Sequence, residues 1–150
     1  MGYSFLGTKL LQNLKRSGSK ATFDIEHGLK IYLELSNPFT WDLVLEKDLE
    51  KDVKQEFSQN VNEGDTVIDV GAHIGEYTLL GAKLVGDNGM IIVLDNLSAI
   101  KGDQPVDLPP LFNMMFVKGD VRSDIDLKRV FRESPSIIFH LAAFFANQNS

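Results

Sequence analysis

The chain contains no cysteine among its 150 residues, which excludes disulfides, thiolate nucleophiles and cysteine-bound metals. It also lacks any apolar run close to the roughly 20 residues that a membrane-spanning helix needs. There is no phosphate-binding loop with its lysine, and the three histidines are too scattered to suggest a metal site. A net charge of −6 weighs against binding to nucleic acid or to anionic membranes. These absences favour a globular protein without a membrane span, and a cytoplasmic location fits them.

The central stretch, residues 66–78, reads TVIDVGAHIGEYT and predicts a buried strand, a tight turn and the start of a helix. Asp69 is the only acidic residue in the strand, and Gly71 and Gly75 bracket the turn. A strand, a glycine turn and a helix N-terminus bring unpaired N–H groups and a positive dipole end into one crevice. The stretch therefore predicts a site for the polar part of a nucleotide-like cofactor. The alternative is a glycine turn that only connects strand to helix.

The first 60 residues are predicted to form a helix, a hairpin and a second helix that pack on a cofactor-binding core of residues 61–150, a single domain overall. Leucines at every fourth position predict an amphipathic helix over residues 5–16. Two alternating segments, residues 22–27 and 29–35, predict a β-hairpin with an exposed turn at His27.

Residues 41–60 are predicted to form the second helix. Its buried stripe repeats every fourth position and consists of Leu45, Leu49, Val53 and Phe57. The other faces carry a run of acidic and basic residues, which we expect to be solvated. Glu50 and Lys54 have the spacing of a helical ion pair.

Further strands are predicted over residues 90–95, 111–117 and 136–143, with a helix over residues 124–133 before the last of them. The apolar residues of that helix, expected to face inward, are Ile125, Leu127, Val130 and Phe131. Asp95 ends its strand 24 residues after Gly71, close to the spacing of about 20 for an acid that holds a ribose diol. His140, at the end of an apolar run, is predicted to be a hydrogen-bonded core residue.

Alternating strands and helices predict an α/β fold, a Rossmann-like parallel sheet with helices on both faces. Right-handed crossovers make the strand order 3-2-1-4, counting these four strands along the chain. The carboxyl edge of that sheet, where such folds bind ligands, then gathers Asp69, Gly71, Gly75, Asp95, Asp120 and Ala142. The fourth strand is left as an exposed edge, which invites homodimerisation.

From about residue 23 to residue 94 the chain resembles the FkbM-type S-adenosylmethionine-dependent methyltransferases. The resemblance is carried by residues 61–80, VNEGDTVIDVGAHIGEYTLL. It implies that the methionine and ribose parts of S-adenosylmethionine are surrounded by Asp69, Gly71, Ala72, His73 and Gly75.

From about residue 91 to residue 150 the chain resembles nucleotide-sugar epimerases and dehydratases of the extended short-chain dehydrogenase family. Three segments carry this resemblance: VLDNLS at residues 93–98, VKGDVR at 117–122 and IFHLAAF at 138–144. It implies that NAD is the cofactor, with its adenosine ribose at Asp95 and Asn96. The adenine would lie between Asp120 and Val121, and the cofactor would be lined by Leu141, Ala142 and Ala143.

The two resemblances meet inside the strand at residues 90–95, so the chain is predicted to be a chimera of two Rossmann-like halves. S-adenosylmethionine is favoured because the turn has two glycines, where the epimerase turn has three, and His73 adds bulk. None of the three tyrosines has a lysine four residues later, as dehydrogenase catalysis requires, and the methyltransferase half lacks its later strands. We therefore expect a methyltransferase-like domain that is catalytically incomplete, with no catalytic residue assigned. The alternatives are an NAD-binding epimerase fragment and a non-catalytic folded module.

Overall fold

The computed structural model describes residues 18–36, 40, 50–98 and 112–142. The chain divides into two compact units, Met1–Asp52 and Val53–Ser150. The predicted helix over residues 5–16 and the first part of the helix over residues 41–60 lie outside the described residues. The division into residues 1–60 and 61–150 stays a prediction.

The first unit contains the predicted hairpin. Strands β1 (Lys20–Asp24) and β2 (Lys30–Glu34) pair antiparallel, and a 3₁₀ turn (Glu26–Gly28) joins them. Alternate residues of β2, such as Ile31 and Leu33, are buried. The strands end earlier than predicted at the turn because the connection uses a full 3₁₀ turn with His27 in a left-handed conformation, φ 58°. His27 is exposed, as predicted.

The second unit contains the sheet and its helices. In chain order the elements are α1 (Lys51–Asn60), β3 (Thr66–Val70), α2 (Glu76–Val85), β4 (Met90–Asp95), β5 (Met114–Lys118), α3 (Asp124–Phe131) and β6 (Ile137–His140). The four strands are parallel and lie in the order β5-β4-β3-β6. This is the predicted order 3-2-1-4, and the predicted α/β, Rossmann-like fold class is confirmed.

Helices cover both faces of the sheet, because alternate residues of the central strands point to opposite sides. On one face Val67 of β3 and Ile91 of β4 join the core with residues of α1 and α2. On the other face Ile68 and Ile92 join the core with α3, through Val130. Apart from Asp69 of β3, the buried residues of both central strands are apolar on the two faces, as expected of a covered parallel sheet.

The packing of α1 differs from the predicted stripe. Val53 is exposed, whereas Lys54 is only 5% exposed and Phe57 is buried. Lys54 Nζ forms an ion pair with Glu76 on α2, so the prediction that the whole charged run is solvated is wrong for Lys54. Glu50 precedes the first residue of α1 and has φ 55°, so the predicted helical spacing to Lys54 does not exist.

Three further positions that were predicted to be buried are exposed. Ile125 is 80% exposed and Phe131 is exposed, because the short helix α3 turns only the face with Leu127 and Val130 toward the sheet. His140 is exposed rather than buried, since β6 alternates and its half-buried face holds Phe139.

Strand β5 begins at Met114, later than predicted, and two residues that were assigned to it have other positions. Phe112 is 79% exposed. Asn113 is buried, and its side-chain amide donates hydrogen bonds to the carbonyl oxygens of Ala82 (2.9 Å) and Gly86 (3.0 Å) at the C-terminal end of α2. None of the helices in the described ranges combines the length and the apolar character needed to cross a bilayer.

Candidate cofactor-binding site

The glycine loop, residues 71–75, connects β3 to α2 and folds through three left-handed residues. Gly71 has φ 81°, His73 has φ 53° and Gly75 has φ 84°. Left-handed backbone costs a non-glycine residue energy, so two of the three positions carry glycine. The Gly71 N–H donates to Leu94 O at 2.9 Å, which fixes the loop against β4, and the Gly75 N–H donates to Ala72 O at 2.7 Å within the loop.

Ala142, just after β6, packs directly against Gly71. A Cβ atom on Gly71 would lie 2.7 Å from Cα of Ala142, a distance that real side chains do not adopt. The N–H of Leu141 donates to Val70 O at 3.0 Å, so the backbone pairing continues up to this contact. The gap between β3 and β6 beside Gly71 is therefore filled by Ala142. Among the described residues, no atom apart from the chain neighbours and the backbone of α2 itself lies within 4 Å of a Cβ built on Gly75, so space remains at this glycine.

Asp95 ends β4 and contacts the glycine loop. Its Oδ2 accepts a hydrogen bond from the N–H of His73 at 3.4 Å, and its Oδ1 accepts from the N–H of Leu97 at 2.6 Å. The His73 side chain is exposed; desolvation lowers its pKa, and the charge of Asp95 opposes this shift. The loop backbone, the imidazole and one carboxylate thus share one corner of the sheet edge.

Asp120 follows β5 and is joined to Asp95 through the neighbouring Asn96. The Asn96 side-chain amide donates to Asp120 Oδ2 at 3.3 Å. Arg122 donates to both oxygens of Asp120, with Nε 2.9 Å from Oδ1 and Nη2 2.7 Å from Oδ2. These side-chain hydrogen bonds from Arg122 hold the pKa of Asp120 well below its usual range. A ligand that contacts the Asp120 side chain must share these oxygens with Arg122.

Asp69 lies beneath the glycine loop and not on its surface. Its side chain is fully buried, and Oδ2 accepts a hydrogen bond from Thr78 Oγ1 at 2.5 Å. Among the described residues Oδ1 has no hydrogen-bond partner. Burial raises the pKa of Asp69 to about 6, the Thr78 hydrogen bond opposes the shift, and the charge of Asp95 adds to it.

The predicted site residues therefore fall into three groups. Those that hydrogen bonds bring together at the carboxyl edge are Gly71, Ala72, His73, Gly75, Asp95, Asn96 and Asp120. Asp69 lies below the loop, Ala142 lies against Gly71, and Val121 packs against the core on the α3 face. Leu141 is exposed and is joined to Val70 through its backbone N–H. Ala143 lies outside the described residues. Within the part of the chain that the structure describes, no three acidic or histidine side chains gather as a metal site would require.

Sequence analysis missed the ion pair at the start of α2. Glu76 follows Gly75 directly, and its Oε1 lies 2.7 Å from Lys54 Nζ. An acidic residue in the first helical turn is a recognisable signal. Its partner on another helix has no signal in the sequence, because the 21 positions between them do not reveal how α1 packs.

Comparison with known proteins finds similar curated proteins and similar solved structures. No protein-family model matches the chain. The chain is 27% identical over 118 residues to ribosomal RNA large subunit methyltransferase E of Dechloromonas aromatica (strain RCB), covering 78% of this chain and 52% of that protein. It is also similar to epimerase Mth375 of Methanothermobacter thermautotrophicus, with 37% identity, a TM-score of 0.44, and coverage of 76% of this chain and 29% of that one. The chain thus spans about half the length of the methyltransferase and less than a third of the epimerase chain.

The fold and the polar carboxyl edge define a Rossmann-like α/β domain, a class whose ligands bind at this edge of the sheet. The methyltransferase class, indicated by residues 61–80, stays a prediction. The FkbM type, the chimeric origin and the choice of cofactor stay predictions.

Proposed function

We propose that the chain is an adenosine-cofactor-binding domain of the methyltransferase class, FkbM-like, and that its cofactor is S-adenosylmethionine. The observation that carries the proposal is the contact between the glycine loop and Asp95, in which the His73 N–H meets the carboxylate at 3.4 Å. A carboxylate at the end of the second parallel strand, beside the first loop, is where a ribose diol is held in this class of fold. The partial similarity to a methyltransferase supports the same reading.

The loop favours S-adenosylmethionine over NAD. A pyrophosphate needs close approach to the backbone and the positive end of the following helix. Here His73 carries a side chain in the middle of the loop, and Glu76 puts a carboxylate on the first residue of α2. The amino-acid part of S-adenosylmethionine carries an ammonium group, for which nearby carboxylates are favourable.

The buried carboxyl of Asp69 fits such a cofactor. Its Oδ1 lacks a hydrogen-bond partner among the described residues, and buried polar atoms are normally satisfied. A water molecule between Asp69 and an ammonium group over the loop would supply the missing donor. Asp95 would hold the ribose, and Asp120 with Asn96 would border the adenine.

S-adenosylmethionine would supply an electrophilic methyl group bound to a sulfonium. The contribution of this chain would be to orient the cofactor by its ribose and amino-acid ends, because positioning supplies much of the catalysis in such transfers. No residue is assigned as a base, and the acceptor-binding part is proposed to lie outside these 150 residues.

A second candidate is an NAD-binding fragment of an epimerase or dehydratase. The hydrogen bond between Asn96 and Asp120, 3.3 Å, joins the two segments that resemble those enzymes. The absence of a tyrosine followed four residues later by a lysine weighs against catalysis by such a fragment.

A non-catalytic module is the third candidate. Its homodimer would form through β6, an edge of the described sheet where Ile138 is half exposed.

Calorimetric titration with S-adenosylhomocysteine and with NADH tests the proposal on the whole chain. We expect S-adenosylhomocysteine to bind more tightly than NADH. Asp95→Asn should weaken its binding about tenfold, as expected for the loss of charge-assisted hydrogen bonds. Asp87→Asn is the matched control, since Asp87 is exposed in the turn after α2.

Tighter binding of NADH would favour the epimerase alternative. Binding of neither cofactor would favour the non-catalytic module, for which sedimentation would distinguish a monomer from a dimer.

A further inference from the structure

The first residue of α2 belongs to an ion pair that is largely withdrawn from solvent. Lys54 Nζ lies 2.7 Å from Glu76 Oε1, and the side chains are 6% and 14% exposed. Glu76 follows Gly75, the last residue of the glycine loop and the N-cap of α2. The ion pair between Lys54 and Glu76 therefore lies where the glycine loop meets α2. In the proposed function, a charged group of the cofactor would bind at this place.

Lys54 is held in place by the packing of α1. One turn further along that helix, the ring of Phe57 contacts the ring of Tyr77, the second residue of α2, with centroids 5.6 Å apart. Phe57 also packs against Phe139 of β6 at 4.7 Å. These ring contacts fix α1, the helix that carries Lys54, against α2 and β6.

The charges around the first turn of α2 do not suit an anion. A helix N-terminus carries a partial positive charge, and an acidic residue in its first turn compensates that charge. Glu76 is this residue, and the N-cap, Gly75, has no side chain that could cap the helix. Thr78, in the same turn as Glu76, donates a hydrogen bond to the buried carboxyl of Asp69. Among the described residues, the other oxygen of this carboxyl, Oδ1, has no hydrogen-bond donor. The first turn of α2 is therefore in contact with two carboxyl groups, Glu76 within it and Asp69 of β3, and with the ammonium group of Lys54.

We propose that Glu76, fixed by Lys54, is a specificity-determining residue that disfavours cofactors with a pyrophosphate and admits an adenosine cofactor with a zwitterionic amino-acid group. The inference rests on the proposed function, in which an adenosine cofactor binds at this edge. A pyrophosphate carries two negative charges that would meet the carboxylate instead of the free helix end. An amino-acid group brings an ammonium that the two carboxylates attract.

The test changes the charge of Glu76 and measures anion binding. Glu76→Gln leaves Lys54 and the helix N-terminus without a counter-charge, so it should bind anions better. We expect NADH affinity, relative to S-adenosylhomocysteine affinity, to rise at least about fivefold. We also expect inorganic pyrophosphate to raise Tm more for this variant than for the wild type. Glu63→Gln is the matched control, because Glu63 lies beside Gly86 at the other end of α2 and the change in net charge is the same.

The double variant Lys54→Met with Glu76→Gln covers the case in which Glu76→Gln alone does not fold. It leaves no uncompensated buried charge and frees the helix N-terminus of its carboxylate. For this double variant we expect the ratio of the NADH affinity to the S-adenosylhomocysteine affinity to be about twofold or more above that of the wild type. The increase should be smaller than the increase in Glu76→Gln.

Unchanged affinity ratios in these variants, or an equal gain in Glu63→Gln, would overturn the inference. The pyrophosphate measurement separates this result from the failure of the proposed function. A wild type that does not bind S-adenosylhomocysteine contradicts the proposed function. A pyrophosphate response that is the same in wild type and Glu76→Gln contradicts the role of Glu76.

Discussion

Thr78 donates its hydroxyl to Oδ2 of Asp69 over 2.5 Å inside the protein, beneath the glycine loop. One hydrogen bond satisfies one carboxylate oxygen, and the charged form of Asp69 is poorly solvated. Burial accordingly raises the pKa of Asp69 to about 6, from an ordinary value of 3.8. Asp69, which is predicted from the sequence to contact the cofactor, thus also destabilises the folded protein at neutral pH.

Asp69 should make the stability of the protein fall as the pH rises from about 4 to above 6. In this window the folded state holds a proton that the unfolded state has released, so the free energy of unfolding decreases with pH. A shift of two pKa units corresponds to about 3 kcal/mol. Asp69→Asn removes the charge, so its stability relative to wild type should be higher at pH 8 than at pH 4 by up to this amount. Urea unfolding at both pH values measures it.

Asp65→Asn is the control with the opposite sign. The N–H of Asn62 donates to Asp65, and the side chain of Ser136 does so as well; these hydrogen bonds lower the pKa of Asp65. Asp65 therefore contributes stability above its unfolded pKa of 3.8, which is lost as the pH falls. Asp65→Asn should be less stable than wild type at pH 8. A wild-type pH profile retained by Asp69→Asn would contradict the account of Asp69.

Removing one partner of the ion pair between Lys54 and Glu76 should destabilise the protein strongly. Lys54→Met leaves the Glu76 carboxylate, which is 14% exposed, without its cation. Loss of one member of a buried pair typically costs about 3–5 kcal/mol, whereas neutral replacement of both costs much less. Chemical unfolding of the two single variants and the double variant gives the coupling energy. Purely additive effects would mean that the 2.7 Å contact contributes nothing.

Gly71 and Gly75 allow backbone strain to be separated from crowding. Both have φ near +80°, so alanine is strained at either position. Only at Gly71 would the new Cβ also meet Ala142, at 2.7 Å. We expect Gly71→Ala to be more destabilising than Gly75→Ala by about 1–3 kcal/mol, the usual cost of overpacking. Thermal unfolding measures the difference, and equal losses would rule out the close contact with Ala142.

Asn113 should be important for the C-terminal end of α2. Its amide donates to the carbonyl oxygens of Ala82 and Gly86, and the side chain is buried. Asn113→Ala leaves these acceptors without a donor, at a cost of about 1–3 kcal/mol. Asn60→Ala is the matched control, because the Asn60 amide donates to Glu56 O at an exposed site. Comparable losses in the two variants would contradict a capping role for Asn113.

The arrangement of the sheet could be predicted from the sequence, and so could the identity of its edge residues. The apolar runs at β3 and β4 are unambiguous because both strands are buried on two faces, and β4 has the predicted ends at Met90 and Asp95. The right-handed crossover rule then leaves one strand order. The same rule puts Asp95 and Asp120 at one edge, where Asn96 connects them.

What the sequence did not reveal depends on contacts between distant residues. From the sequence, Lys54 is predicted to be a surface residue, because its partner Glu76 lies on another helix. Asn113 is predicted to belong to a strand, because the sequence does not show that the end of α2 lies beside it. Ile125 and Phe131 read as core residues because apolar type alone does not tell which face a short helix turns inward. A helix of eight residues has too few turns for its pattern to decide the matter.

The registers of β3 also imply an order of assembly during synthesis. Val67 pairs with Ile91 on one side and with Ile137 on the other, so the second partner is made much later. Closing the longer loop costs more entropy, and a nascent chain emerges from its N-terminus. A ribosome-bound chain should therefore pair β3 with β4 first and hold one side of β3 uncovered until β6 emerges. That interval is when the growing chain is most exposed to capture by a chaperone.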